Sequence, residues 1–412
     1  MLEWSLHHRA AAIIIFAAGS LGSLLLVFSI GENFFPYVDS GQMQFHVRPP
    51  TGTRIEVATE IFARVNAEIR RVIPADQLSL VVDNIGLPPG GVNLAFTTSD
   101  TTSNGDGDVI VQLAPKHRPT QEWMGILRDD LNRVFPQETF FFEPADITNQ
   151  TLNFGSPAPI DVQVLGKDAA ATQQIAVELK NQIKNVPGAV DVFIQQEFSA
   201  PEFNVNVNRL RAQELAMSQK DVADNLVLAL SGSGQTAPNF WMDPKTGVEY
   251  PVVVQVPQYR LHNFNTLYDL TVTSPGTNND QLLRNVSEIT RAVAPLTVSH
   301  FNAQPVMDVY ANTENRDLGG VARDIQKIIE TASQHLPVAT RIVLAGQVQT
   351  MNSSFQHLGL GIIAAIVFVY LVMALNFQSW TDPFIILMAL PGAFAGIMWV
   401  LFLTQTTLAF RR

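Results

Sequence analysis

Two uncharged stretches near the C-terminal end decide the fold of this chain: residues 358–375 (LGLGIIAAIVFVYLVMAL) and residues 384–403 (FIILMALPGAFAGIMWVLFL). At 1.5 Å of rise per residue, each is long enough to cross a hydrocarbon layer of about 30 Å as a helix. Backbone groups in lipid must bond to one another, so we expect a hairpin of two membrane-spanning helices. Thr381 or Asp382 can cap the second helix, and Pro383 suits its first turn. A hairpin buried in a soluble core is the less favoured alternative.

A third uncharged stretch, residues 10–30, follows a short and mildly basic N-terminal segment. It predicts a further membrane span, with a cleaved signal peptide as the alternative. Its length and the lack of a small-residue cleavage motif before Glu32 favour the span. Small residues one turn apart form strips on which another helix can pack closely. These strips are Gly19 with Ser23 and Gly392 with Gly396.

The composition excludes several classes of function. The chain has 412 residues, a formal net charge of -11 and no cysteine. The negative charge and the lack of a basic run argue against nucleic-acid binding. Without cysteine there is no disulfide, thiol catalysis or thiolate metal site. The length predicts about two to four folding units.

Residues 31–357 contain no other candidate span and read as repeated strand–helix–strand units. Strands are predicted at 42–47, 78–82, 108–113 and 139–142, with helices at 51–72 and 120–135. The pattern restarts with strands at 160–165, 190–195, 203–207, 305–310 and 341–344, and helices at 168–185 and 318–333. Between them, residues 210–231 read as helical and residues 235–256 as a hairpin that turns at 243–247. We therefore predict two small sandwiches of the βαβ-βαβ, ferredoxin-like pattern, with a β-rich insert in the second.

The candidate chemical groups do not predict an enzyme. The eight histidines show no metal-ligand spacing, and Asp106-Gly107-Asp108 lacks the repeating ligand pattern of a calcium loop, so no metal site is expected. No nucleotide-binding or serine-hydrolase motif is present, and no cofactor is expected. The three predicted spans contain no Asp, Glu, Lys, Arg or His, although a proton path through a membrane needs such groups.

Several separated motifs resemble the C-terminal half of resistance-nodulation-division (RND) permeases, and most closely their hydrophobe/amphiphile efflux branch. The motifs are residues 32–39 (ENFFPYVD), 50–53 (PTGT), 81–88 (VVDNIGLP), 141–146 (FFEPAD), 351–355 (MNSSF) and 376–384 (NFQSWTDPF). They occur in the order of the family and cover almost the whole chain.

The resemblance implies an architecture. Residues 10–30, 358–375 and 384–403 would be the seventh, eighth and ninth spans. Residues 31–155 would form one periplasmic porter subdomain, and residues 156–207 with 300–346 a second, interrupted by a docking lobe at 208–299. Such permeases are inner-membrane homotrimers that work with a periplasmic adaptor and an outer-membrane channel, and they exchange protons for exported hydrophobic or amphiphilic compounds.

The chain also departs from the family pattern. By the resemblance, we expect this segment to lack the first half of the permease, with its relay carboxylates, and the tenth span. We therefore expect a membrane-embedded segment that does not transport without the other half. A membrane-anchored periplasmic scaffold or binding module that acts with a separately encoded partner half is the alternative, and an enzyme is least favoured.

The resemblance also implies a substrate cleft. Its deep-pocket positions are Leu80, Val82, Ile85, Leu87 and Ile110, and its outer-entrance positions are Gln44, His46, Ile160 and Val162. A glycine-bearing loop would gate the cleft through Gly86, Gly90 and Gly91. The alternative for the strand residues is that they only fill the core beneath the sheet.

Overall fold

A computed structural model describes ten parts of the chain. They are residues 7–26, 30–34, 39–87, 101–145, 151, 153, 156–234, 236–261, 263–274 and 280–404. The first helix, α1 (Arg9–Leu24), lies in the predicted N-terminal span.

The first α+β unit follows α1 and has the predicted order of elements. These are β1 (Gln42–Arg48), α2 (Ile55–Val72), β2 (Leu78–Ile85), β3 (Gly107–Leu113), α3 (Thr120–Val134) and β4 (Thr139–Glu143). The strands form one antiparallel sheet in the order β2-β3-β1-β4. Helix α2 buries Ile61, Val65 and Ile69, which recur every four residues and so share one side of the helix.

The two faces of this first sheet differ in chemistry, because successive strand residues point to opposite sides. Met43, Phe45 and Val47 of β1 belong to the core that also contains the buried residues of α2 and α3. The alternate residues Gln44 and His46 therefore lie on the other face. We call the side turned away from α2 and α3 the polar face of the first sheet.

The second unit begins with the same pattern and is then interrupted. It opens with β5 (Ile160–Leu165), α4 (Ala169–Ile183) and β6 (Ala189–Ile194). Asp168 caps α4 by accepting hydrogen bonds from the backbone nitrogens of Ala170 and Ala171.

The interrupting segment is a lobe with its own small core. Its elements are β7 (Ala200–Val207), α5 (Arg209–Glu214), α6 (Gln219–Ser231), β8 (Asn239–Met242), β9 (Glu249–Val252), α7 (Phe264–Tyr268), β10 (Thr271–Val272), β11 (Gln281–Leu282), α8 (Leu283–Val286) and β12 (Ser287–Ala294). Strands β8 and β9 pair as the predicted hairpin. The assignment of residues 200–207 to the second sandwich needs correction, because β7 pairs with β12 from Ala200 to Val207. The lobe therefore begins at Ala200 rather than after Val207.

The chain then returns to complete the second sheet. The returning elements are β13 (Ser299–Phe301), β14 (Gln304–Thr313), α9 (Leu318–Ser333) and β15 (Arg341–Gly346). Strands β6, β14, β5 and β15 lie side by side in that order, and β13 also pairs with β14. The second sheet thus repeats the strand order of the first. Its core is shared with residues of α4 and α9.

The last described helices are α10 (Gln347–Phe377), α11 (Thr381–Leu387) and α12 (Leu390–Leu403). Among the described residues, two segments are long and apolar enough to cross a membrane, Gln347–Phe377 and Thr381–Leu403. The second segment consists of two helices, α11 and α12, and Pro391 lies in the first turn of α12. Proline has no N–H, so it cannot continue the hydrogen bonding of α11 into α12. Helix α1, with 16 residues, is shorter than either segment.

Helix α1 packs against α12 through the small residues seen in the sequence. Trp399 Nε1 donates a hydrogen bond to Ser23 Oγ over 3.1 Å. The Phe16 ring lies so close to Gly392 that a Cβ there would be 2.9 Å from its Cε2 atom. A Cβ on Gly19 or Gly396 would meet no described atom within 4 Å. Ser23 of the first strip and Gly392 of the second therefore contact the other helix.

A short strap joins the residues after α1 to the start of α9. The backbone nitrogen of Glu32 donates to Asp317 Oδ2 over 2.9 Å, and the backbone nitrogen of Leu318 donates to Asn33 Oδ1 over 2.9 Å. Arg323 and Glu32 form an ion pair at 2.8 Å. The strap ties the N-terminal helix to the second unit.

Candidate functional site

The candidate site lies on the polar face of the first sheet, where three neighbouring strands each contribute one ligand-type side chain. His46 of β1 pairs directly with Asp108 of β3. Glu143 of β4 pairs with Gln44 of β1, which places it diagonally next to His46. Residues opposite or diagonal on one face of antiparallel strands are within contact distance. Sheet pairing thus brings together three residues that are far apart in the sequence.

The three side chains form a compact cluster that could hold a metal ion. One ligand atom from each of His46, Asp108 and Glu143 lies within 4.8 Å of the other two. His46 Nδ1 is 2.6 Å from Asp108 Oδ1 and 4.0 Å from Glu143 Oε1. His46 is fully buried, and its ring stacks on Phe141 with 4.8 Å between the ring centroids. The imidazole is therefore held in one orientation.

A third carboxylate, Asp106, lies on the other side of the His46 ring. Asp106 Oδ2 is 3.5 Å from His46 Nε2. Asp106 also accepts hydrogen bonds from the backbone nitrogens of Thr102 and Ser103 at 3.0 and 2.7 Å. Burial alone would raise the pKa of Asp106, but hydrogen bonds from His46, Ser103 and Thr102 hold its pKa well below the ordinary value. Asp106 is therefore an anion.

The carboxylates control the protonation of His46. Burial alone would lower the pKa of this histidine, but the hydrogen bonds with Asp106 and Asp108 outweigh burial and raise the pKa above its ordinary value of 6.5. The carboxylates thus favour the doubly protonated form of the ring. A metal ion at Nδ1 would take the place of the proton on that nitrogen.

Two glycines let the Asp106 loop approach the sheet. A Cβ on Gly107 would lie 2.2 Å from the backbone oxygen of Asn84. A Cβ on Gly105 would lie 2.6 Å from the backbone oxygen of Thr53. No side chain fits at either position without moving the backbone. The loop thus brings Asp106, and the start of β3 brings Asp108, to the same histidine.

A cleft reaches Glu143, one member of the cluster. It has a volume of about 920 Å³ and lies between α3, the end of β4 and the segment before α9. Glu143 lines the cleft, together with Phe34 in the segment between α1 and β1 and Gln347 at the start of α10. Gln44 Nε2 donates to Glu143 Oε2 over 2.8 Å. Glu143 thus stands between the cleft and His46.

Five of the residues assigned to the substrate cleft share the polar face. Val82 pairs with Ile110, and Leu80 precedes Val82 by two positions on β2. Gln44 and His46 lie on β1 in the same sheet. The exposed fractions of Leu80 and Val82 are 55% and 43%. The structure thus brings together an apolar part at β2 and a charged part at β1.

The other assigned residues lie elsewhere. Ile85 packs against the core on the helix side of the first sheet, and Leu87 is partly exposed after β2. Gly86 has a φ of +85°, which favours glycine, whereas Gly90 and Gly91 lie outside the described residues.

Ile160 and Val162, expected at the outer entrance, require a correction. Both are fully buried in the core of the second unit with residues of α4 and α9. Alternation along β5 instead places Asp161 and Gln163 on the face turned away from these helices. Ile160 and Val162 therefore pack in the core, which was the alternative for the strand residues, and they do not line the cleft described above.

Comparison with known proteins gives one family. A model of the AcrB/AcrD/AcrF family matches residues 1–410. Protein HelA of Legionella pneumophila is 23% identical over 98% of this chain and 38% of its own length. The cation efflux system protein CusA of Escherichia coli K12 is 22% identical over 96% of this chain and 37% of its own length. The multidrug resistance protein MdtC of Yersinia enterocolitica is 24% identical over 96% of this chain and 36% of its own length.

The fold is also similar to a solved structure. The crystal structure of a heavy metal efflux pump superposes with a TM-score of 0.79 at 23% identity, covering 97% of this chain and 40% of that one. This chain therefore spans less than two fifths of the length of these curated relatives. The similar proteins include both cation and multidrug efflux proteins, so they do not favour the hydrophobe/amphiphile branch.

Proposed function

Because the chain belongs to the AcrB/AcrD/AcrF family, we propose that it is the C-terminal part of a proton-coupled RND efflux permease of the inner membrane. Its function is then transport rather than enzymatic catalysis. The two α+β units with strand order β2-β3-β1-β4 and β6-β14-β5-β15 support the assignment of two ferredoxin-like porter subdomains in the periplasm. The lobe that starts at Ala200 serves as the docking lobe. The complete permease forms a homotrimer, and this trimer works with a periplasmic adaptor and an outer-membrane channel.

We propose a divalent metal cation as the cargo of this permease. The observation that carries the proposal is the cluster of His46, Asp108 and Glu143 on three neighbouring strands. Imidazole and carboxylate ligands suit borderline and hard divalent ions such as Zn²⁺, Co²⁺ or Mn²⁺, whereas Cu⁺ prefers sulfur ligands. The chain has no cysteine, and the cluster contains no methionine. Relatives named for cation efflux support this cargo class.

Cation binding in this site competes with a proton. His46 must lose its second proton before Nδ1 can coordinate a metal ion. The burial of His46 and Asp106 excludes water that would weaken their attraction for a cation. The cleft lined by Glu143 supplies the route by which a hydrated ion reaches the cluster.

A hydrophobic or amphiphilic cargo is the second candidate. The exposed side chains of Leu80 and Val82, next to Ile110 on the same face, favour it. These side chains are aliphatic, so they cannot stack on an aromatic compound. The loop that contains Gly86, Gly90 and Gly91 would then act as a flap over this surface. In a complete pump that carries this half, Gly90→Pro is expected to impair export of bulky amphiphiles. The protein level and the assembly of the trimer are expected to stay normal.

A binding measurement separates the two cargo classes. The full chain in detergent is titrated with Zn²⁺ against a chromophoric chelator. His46→Gln and Asp108→Asn are each expected to lower the affinity at least about tenfold, because each removes a ligand. His335→Gln serves as the control, since His335 is exposed and lies on the second unit. Equal Zn²⁺ affinity in wild type and His46→Gln would remove the cation proposal.

A further inference from the structure

Asp161 and Asp308 form a buried pair of carboxyl groups in the second unit. Asp161 lies on β5 and Asp308 on the neighbouring strand β14. Asp161 is paired with Tyr310 and Asp308 with Gln163, so the two aspartates are diagonal neighbours on one face of the sheet. Their exposed fractions are only 5% and 6%. This face is turned away from the core that contains Ile160 and Val162.

The hydrogen-bond partners of the pair are neutral. Gln163 Nε2 donates to Asp161 Oδ2 over 2.8 Å, and Gln196 Nε2 donates to Asp308 Oδ2 over 2.7 Å. The backbone nitrogen of Asp308 donates to Gln196 Oε1 over 3.0 Å. Among the described residues, Asp161 Oδ1 accepts no hydrogen bond. One buried oxygen of the pair thus lacks a donor.

The described cationic side chains do not neutralise the pair. Within the described parts of the chain, no lysine, arginine or histidine forms an ion pair with Asp161 or Asp308. The nearby strands carry few charged groups. They are Arg341 of β15 (opposite Leu165), Asp191 of β6 (bound to Arg128), Glu197 after β6, His300 of β13, and Arg48 of β1, which donates to the Ile194 carbonyl.

Two adjacent carboxylates are costly to bury when both are ionised. An unpaired charge loses its hydration on burial, and the two negative charges repel each other. Burial, together with the charge of Asp308, raises the pKa of Asp161 well above its ordinary value. Burial also raises the pKa of Asp308. A proton on one carboxyl group removes the repulsion and supplies a donor within the pair.

We propose that the Asp161–Asp308 pair is a proton-binding site of the second unit, which retains one proton at neutral pH and shares it between the two carboxyl groups. The site lies outside the segments that are long and apolar enough to cross a membrane. It is separate from the His46 cluster, which lies on the first sheet. Proton binding by this pair does not depend on the cargo of the permease.

Proton release from this pair affects stability with a definite sign. The pKa of both groups is raised in the folded state, so the folded chain binds more protons than the unfolded chain above the ordinary value of 3.8. The stability contributed by the bound proton is fully present below that pH. It is lost as the pH rises through the raised pKa values of the folded state.

Infrared spectroscopy of the full chain in detergent tests the proposal. Wild type at pH 7 is expected to show the C=O stretch of a protonated carboxyl group, and the signal of one group is expected to be lost in Asp161→Asn. Asp76→Asn is the control, because Asp76 is exposed and should leave the signal unchanged. Burial also raises the pKa of Asp83, which can therefore contribute to the same infrared signal. The quantity compared is for this reason the difference in signal between wild type and each variant.

The pH dependence of thermal unfolding is a second measurement, for variants that fold. The thermal midpoint of wild type is expected to fall with rising pH more steeply than that of Asp161→Asn or Asp308→Asn. If neither variant folds, a pH titration of the wild-type infrared signal decides, and a signal absent at pH 7 overturns the proposal. A signal that appears only after addition of EDTA also overturns it, because the pair would then hold a cation. An infrared signal that is the same in wild type and in both folded variants also overturns the proposal.

Discussion

Arg128 of α3 donates two hydrogen bonds to Asp191 of β6, from Nε over 2.7 Å and from Nη2 over 2.9 Å. Helix α3 belongs to the first unit and β6 to the second, so this ion pair joins the two units. Asp191 Oδ2 also accepts from the backbone nitrogen of Phe142 over 3.3 Å. Arg128 Nη1 donates to Glu314 Oε1 over 2.7 Å. The ion pair is largely buried, and the Arg128 guanidinium lies over the Phe142 ring, 4.8 Å from its centroid.

Replacing Arg128 is expected to destabilise the chain strongly. Arg128→Ala leaves the carboxylate of Asp191, with 1% of its side chain exposed, without its cation. Breaking a buried ion pair in this way costs about 3–5 kcal/mol of the free energy of unfolding. Denaturant unfolding of the full chain in detergent measures the loss.

Arg133→Ala is the matched control, because Arg133 is on the same helix and pairs with Asp130 at the surface. Its expected loss is below about 1 kcal/mol. Similar losses in the two variants would show that the Arg128–Asp191 contact does not hold the units together.

Asp317→Ala is expected to loosen the strap between α1 and the second unit. Asp317 caps α9 by accepting from the backbone nitrogen of Gly320 and also accepts from the backbone nitrogen of Glu32. Loss of the cap alone costs about 0.5–2 kcal/mol. Hydrogen exchange at Glu32 should therefore become faster in this variant.

Asp168→Ala controls for the cap, since Asp168 caps α4 through the nitrogens of Ala170 and Ala171. Hydrogen exchange at Glu32 should stay at the wild-type rate in Asp168→Ala. Equal acceleration in both variants would mean that the strap does not depend on Asp317.

Gly107→Ala is expected to weaken cation binding although it removes no ligand. The new Cβ would lie 2.2 Å from the backbone oxygen of Asn84, so β3 must shift and carry Asp106 and Asp108 with it. The Zn²⁺ titration described above should show a loss of affinity of about tenfold or more, as expected when ligands are displaced.

Gly234→Ala provides the comparison, because a Cβ at Gly234 meets its nearest neighbour at an ordinary contact distance of 3.7 Å. Wild-type affinity in Gly107→Ala would indicate that the sheet tolerates the shift or that the ion does not bind there.

If residues 347–377 and 381–403 form a hairpin of two spans, the turn between them and the α+β units lie on opposite sides of the membrane. Lys245 is exposed in the turn between β8 and β9, and Gln378 is exposed between α10 and α11. Single cysteines in place of these residues can be labelled selectively, because the chain has no cysteine of its own. In intact spheroplasts, an impermeant maleimide should label the Lys245→Cys variant and leave Gln378→Cys unlabelled. Labelling of both from the same side would contradict the hairpin as a pair of spans.

The sequence by itself determined the elements and their order. The helix Leu318–Ser333 and the strand Ile160–Leu165 have the predicted bounds, and most other predicted elements agree within a few residues. The physical reason is that hydrophobic periodicity and capping act over a few neighbouring residues. The two long apolar segments at the C-terminal end follow from the same local information, because their length and lack of charge are properties of consecutive residues.

Tertiary structure alone decided which side chains meet. Alternation along β5 separates Ile160 and Val162 from Asp161 and Gln163, but only packing against α4 and α9 shows which set is buried. His46 meets Asp108 and Glu143 because β3, β1 and β4 are neighbours in the first sheet. Strand pairing joins residues that are distant in the chain, and its register depends on the turns and the burial of the whole unit. Spacing between histidines and carboxylates in the sequence carries no trace of such a contact.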